Sequence, residues 1–162
     1  MSNLKVTTPA DREIAMTRFF DASRSLVFEA LTKPELLQRR LLGPDGWSMP
    51  VCEVDLEVGG RYRFVWRDGE GNDMATGGVF REVVAPKRFV ATEKFEQPRY
   101  PGEALVTNAL VEPDGATTLT LTIRYSSKGT RDGVRKSGME HGVARSYDRL
   151  ADLLAATPAR MG

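Results

Sequence analysis

Hydrophobic and polar residues change their rhythm along this chain at about residue 47. Before it, REIAMTRFF alternates as a strand does and ends at Asp21. SRSLVFEALT then reads as a helix, with Ser23 as its cap and Leu26, Val27, Ala30 and Leu31 on its apolar face. Lys33-Pro34 breaks that helix, and Pro34 starts a short second one, PELLQRR. Gly43-Pro44-Asp45-Gly46 signals a loop.

From there the period is two. CEVDLEV, RYRFVWRD, MATGGVFREV, RFVATEKFE, ALVTNALVE and TTLTLTIRYS read as a run of strands, separated by Gly59-Gly60, DGEGN, Ala85-Pro86, QPRYPG and PDGA. Connections this short imply antiparallel neighbours. The pattern returns to helical from residue 130 to residue 156, with Gly133 and Gly138 weakening its first part and Pro158 stopping it. The order predicts an α+β fold: one antiparallel sheet that must bury an apolar face against the long last helix. Residues 1–11 are expected to be a flexible tail, 12–157 one domain, and 158–162 a second tail.

Period two also assigns faces. Tyr62, Phe64 and Trp66 lie together and are expected inward, with Arg61 and Arg63 opposite. Met74, Thr76, Gly78 and Phe80 share a face, as do Leu119, Leu121, Ile123 and Tyr125. Phe89, Ala91, Glu93 and Phe95 share another, which turns Glu93 inward unless the register slips or a bulge sends it to an edge. A buried carboxylate must raise its pKa, find a base or meet water, so Glu93 is the candidate polar anchor or acid/base group. Cys52 alternates with Val54 and Leu56 and is expected to be an inert buried thiol.

On a helical wheel Met139, Val143, Tyr147, Leu150, Leu153 and Leu154 form one stripe, with Gly142 and Ser146 at its margin. His141, the single histidine, falls about 170° away, among Ala144, Asp148 and Asp152, and is expected to face water. The stripe is leucine-rich in its second half and carries small or flexible residues in its first. That half either approaches the sheet closely through Gly142 or leaves a space.

Composition narrows the chemistry. Charged residues are 28% of 162 and the formal net charge is +1, which argues against a nucleic-acid partner. One cysteine and one histidine cannot build a zinc cluster, and no P-loop, GxGxxG or GxSxG is present. Neither a metal nor a cofactor is expected. No membrane span or signal peptide is visible, so a cytoplasmic location is expected.

TRFFDASRSLVFEALTKPELL, CEVDLEVGGRYRFVW, GGVFREVVAPKRFVATEKF and SGMEHGVARSYDRLADLLA, in this order, resemble the START-like (SRPBCC) helix-grip superfamily. The branch is similar to the C-terminal domain of the activator of the 90-kDa heat-shock-protein ATPase. The resemblance implies a curved antiparallel sheet, usually of about seven strands, wrapped around the C-terminal helix. It also implies a deep hydrophobic cavity between them. In such a cavity Trp47, Tyr62, Phe64, Trp66, Thr76, Gly78, Phe80, Glu93, Met139, Gly142, Val143, Ser146 and Tyr147 would bind a hydrophobic small molecule of lipid, polyketide or aromatic type. Two other functions are compatible with the resemblance: an enzyme of cyclase, dehydratase or hydrolase type, and a co-chaperone-like protein activating a heat-shock ATPase. The outer sheet face would suit a homodimer. Members of this branch often have tryptophans where this chain has Arg40, Leu41 and Leu42, another where it has Met139, and an aromatic near Glu93. Each change here is to something smaller or more polar.

Overall fold

The computed structural model describes residues 4–40, 46–96 and 102–156. Its elements are β1 (Lys5–Thr7), β2 (Glu13–Phe20), α1 (Arg24–Thr32), α2 (Pro34–Arg40), β3 (Ser48–Val54) and β4 (Arg61–Arg67). They continue with β5 (Asp73–Val84), β6 (Arg88–Phe95), β7 (Ala104–Val111), β8 (Thr117–Arg124), α3 (Lys128–Lys136) and α4 (Met139–Ala156). The 8-stranded sheet runs β1-β2-β8-β7-β6-β5-β4-β3. Every neighbouring pair is antiparallel. This is the α+β helix-grip architecture.

Local chemistry fixes the helix ends. Ser23 Oγ accepts from the Leu26 amide at 3.3 Å and starts α1. Ser127 Oγ accepts from the Thr130 amide at 3.1 Å and starts α3. Each supplies an acceptor for an amide left without one in the first turn.

Four details differ from the sequence reading. The tail expected over residues 1–11 contributes β1, in which Val6 lies opposite Met16. The first strand after the loop begins at Ser48 rather than Cys52 and contains Pro50. β3 is an edge strand with one neighbour, and its register shifts between Ser48 and Val51, so a residue without an amide proton is tolerated there. Asp55 to Gly60 forms a tight turn instead of more strand, and a Cβ on Gly60 would lie 2.1 Å from the Asp55 carbonyl oxygen. The last helix divides at Gly138, whose φ is +79°. The expected stop at Pro158 and the 158–162 tail lie outside the described residues, as do Leu41 and Leu42.

The main core joins α1, the sheet and the second half of α4. Val27, Phe28, Phe20, Phe89, Leu119, Tyr147, Leu150 and Leu153 are among its buried members. A smaller cluster of Ile14, Met16, Ala104, Ile123 and Tyr125 lies toward the start of α4, with Met139 and Val143 only partly buried against it. Arg18 crosses from the inner face of β2 to α4, where Nη1 donates to Asp148 Oδ1 at 2.7 Å. Arg131 ties α3 to the strand entry by donating to the Ala10 and Glu13 carbonyls at 3.1 and 3.3 Å.

Candidate functional site

The inner face of the sheet is built by pairing. Tyr62 lies opposite Gly78, Phe64 opposite Thr76, and Trp66 opposite Met74. Glu93 lies opposite Ala104, and Ala91 opposite both Phe80 and Val106. The one register shift between β5 and β6 falls at Phe80/Glu82, away from Glu93. Glu93 is therefore on an interior strand with the inward register, partly buried.

Aromatic rings run along this face without a break. Trp66 to Phe64 is 6.0 Å between centroids, Phe64 to Tyr62 5.1 Å, and Tyr62 to Phe80 5.6 Å. Phe80 to Phe89 is 6.2 Å and Phe89 to Phe28 5.7 Å, so the run ends in the main core. These separations suit edge-to-face and tilted packing. Phe28, Phe80 and Phe89 are buried, while Tyr62, Phe64 and Trp66 keep solvent contact.

Gly78 makes the centre of this face possible. The Tyr62 phenol donates to the Thr92 carbonyl at 2.6 Å. The Val79 amide donates to Thr92 Oγ1 at 2.9 Å. A Cβ on Gly78 would sit 1.9 Å from that same carbonyl oxygen. Only a residue without a side chain lets the two strands close here.

Two phenols share the field of one carboxylate. Burial raises the pKa of Tyr62, and the negative charges of Glu93 and Glu103 raise it further. Burial raises that of Tyr125, and Glu93 adds to it. Both phenols stay protonated through the physiological range, so they serve as hydrogen-bond donors and not as bases.

On α4 the inward stripe changes character along its length. Tyr147, Leu150 and Leu153 are buried. Met139, Val143 and Ser146 point the same way yet remain partly exposed. No atom lies within 4 Å of a Cβ placed on Gly142, so this glycine does not serve close packing. The stripe is thus fully buried at one end, while at the other Met139 and Val143 pack against Ile14, Met16 and Tyr125 and still keep solvent contact.

Residues 21–155 match the profile of the family described as Activator of Hsp90 ATPase homolog 1-like protein. The chain belongs to this family. Among solved structures, a Rhodobacter sphaeroides protein is 29% identical, with TM-score 0.89 over 96% of this chain and 100% of that one. A Nitrosomonas europaea protein is 30% identical, with TM-score 0.78 over 90% and 96%. The AHSA1 protein of Silicibacter pomeroyi, 24% identical at TM-score 0.70 over 88% and 97%, shares the fold. A comparison with curated proteins found no match.

Within this Activator of Hsp90 ATPase homolog 1-like chain, the expected ligand-binding residues divide into three groups. Phe80, Thr76 and Tyr147 are buried, and the Thr76 hydroxyl donates to the Lys94 carbonyl at 3.1 Å. Tyr62, Phe64, Trp66, Gly78, Glu93, Met139, Val143 and Ser146 are partly exposed, as is Trp47 just before β3. Gly142 is exposed at the margin of the helix. His141 is exposed on the far side, as its place on the wheel requires, and Cys52 is partly buried with its thiol 3.6 Å from the Pro34 carbonyl.

Three polar residues near the inner face were not proposed as site residues from sequence: Arg18, Tyr125 and Asn108. Alternation in EIAMTRFF and ALVTNALV already placed Arg18 and Asn108 with inward residues. A separate depression of about 280 Å³ lies where Thr92, Leu105 and Arg124 adjoin on neighbouring strands, and Arg12, Arg81 and Glu103 also border it. No described helix is long and apolar enough to cross a membrane.

Proposed function

We propose that this protein binds a hydrophobic or amphipathic small molecule between the inner sheet face and the first half of α4. One observation carries the reading: Met139, Val143 and Ser146 lie on the same stripe as buried Tyr147 and Leu150 but remain partly accessible, and the inner-face rings of Tyr62, Phe64 and Trp66 are partly accessible too. An apolar concavity with a few convergent polar groups is what small-molecule sites generally look like. The test compares native and denatured masses of freshly purified protein, with Ser146→Trp as a plug. A mass excess in the wild type that the plug abolishes, while the fold is kept, supports the reading. No excess, together with no uptake of 1-anilinonaphthalene-8-sulfonate, overturns it.

A second reading, catalysis on the bound molecule, is favoured by one feature: Glu93 lies in the same field as two protonated phenols. That arrangement sets a carboxylate beside two protonated phenols, of which Tyr62 already donates to the Thr92 carbonyl. If it operates, Glu93→Gln retains the ligand but changes its recovered chemical form. Identical compounds recovered from both proteins would leave binding alone.

A further inference from the structure

Asn108 lies on the inner face of β7, opposite Leu121 on one side and Phe89 on the other, and is 8% exposed. Other buried polar side chains have protein partners. Thr32 donates to the Phe28 carbonyl at 2.8 Å and Thr117 to the Ala22 carbonyl at 2.7 Å. Arg18 and Arg131 reach carboxylates, and Thr76 and Thr92 make the bonds already given. The Asn108 amide has none among the described residues. Nor is it sealed: the fully enclosed side-chain atoms without partners among those residues are Nε of Arg18 and of Arg24. The amide therefore looks onto space. Its inward neighbours Val106 and Leu121 are themselves only partly buried and pack against the same cluster as Met139 and Val143.

A buried amide without a partner is costly, and native structures rarely keep one without water or a ligand. Water can satisfy Asn108 while the opening is empty. A plain hydrocarbon that displaced the water would leave the amide bare, whereas a carbonyl or hydroxyl oxygen would restore its bond. A charged head group is disfavoured at this point. Leu121, Phe89, Val106 and Leu110 surround it on the sheet, and neither neighbouring strand places a charged residue opposite it. We infer that Asn108 selects for a mainly apolar ligand carrying a neutral oxygen function, a ketone, ester, amide or hydroxyl, that reaches the middle of the sheet. The inference rests on the binding reading above and adds the chemistry of the ligand to it.

The experiment uses 2-acetylnaphthalene and 2-ethylnaphthalene, which are similar in shape and differ by one carbonyl. Calorimetry gives the ratio of their affinities for the wild type and for Asn108→Leu. Comparing ratios cancels the different hydration of the two probes. The ratio is expected to fall about tenfold in the variant, the worth of one hydrogen bond in a dry site. The carbonyl stretch of bound 2-acetylnaphthalene is expected at lower frequency in the wild type than in hexane. That second readout needs no variant, so a misfolded Asn108→Leu does not shelter the idea. An unchanged ratio, or a carbonyl stretch as in hexane, overturns the role of Asn108 while binding of the ethyl compound preserves the wider reading. If neither compound binds, both fall together.

Discussion

The two halves of α4 follow one apolar stripe but have different surroundings. At the C-terminal half, Tyr147 meets Phe20 edge-on at 5.9 Å, and Leu150 is 0% exposed. At the N-terminal half, Met139, Val143 and Ser146 present the same side and keep solvent contact. The sheet repeats the difference: Phe80 and Phe89 are buried, Tyr62 and Phe64 are not. Periodicity sets which way a side chain points. Whether anything meets it depends on facing volumes, and the first half of this stripe has little to offer. The closed end stabilises the fold, and the other end is the place where the proposed ligand would bind.

Truncating the two ends should separate them by the largest margin. Leu150→Ala is expected to cost about 2–5 kcal/mol, because a packed leucine leaves a cavity. Val143→Ala, where the side chain is only partly buried, is expected to cost less than about 1 kcal/mol. Urea denaturation of both variants measures the difference. Equal losses would mean that the first half of the stripe is ordinary core.

Much of this division could be read from the sequence, and the parts that could not have physical causes. The run of antiparallel strands, the inward aromatic row and the far-side position of His141 follow from short connections and from periods of two and 3.6, whereas the pairing of β2 with β8 does not. The three residues of β1 are too few to show a period. Pro50 hid the start of β3, because a proline argues against a strand unless the strand is an edge. The exposure of Met139 and Val143 depends on what stands across from them, which no spacing encodes. Asn108 was legible as inward-facing, but its lack of a partner required the positions of β6 and β8.

An alkaline titration probes the buried cluster beside Met139 and Val143 next. Tyr125 is 2% exposed, and burial and the Glu93 charge both raise its pKa in the fold. In the unfolded chain a phenol titrates near pH 10, at about its ordinary value. The folded form thus holds the proton more tightly, and this contribution to stability is complete below about pH 10. It is lost as pH rises above that. Tyr125→Phe is expected to flatten the fall in stability above about pH 10 by close to one proton, about 1.4 kcal/mol per pH unit. Chemical denaturation at stepped pH measures the slope. An unchanged slope would mean that the phenol ionises as freely in the fold as out of it.

The smallest effect concerns two glycines that the fold uses in opposite ways. Gly78 is required, because a Cβ there would lie 1.9 Å from the Thr92 carbonyl oxygen. Gly142 lies within α4 with nothing inside 4 Å of the same atom. Alanine exceeds glycine in helix preference by about 0.8–1 kcal/mol. Gly142→Ala is therefore expected to stabilise the protein by about that amount and to leave the ligand-dependent mass excess in place. Thermal unfolding, followed by native mass spectrometry, checks both. A gain in stability with the ligand retained shows that ligand binding at this end of α4 does not depend on the glycine. A loss of stability would show that the α4 margin is covered by something, a second copy of the chain being the first to look for by sedimentation.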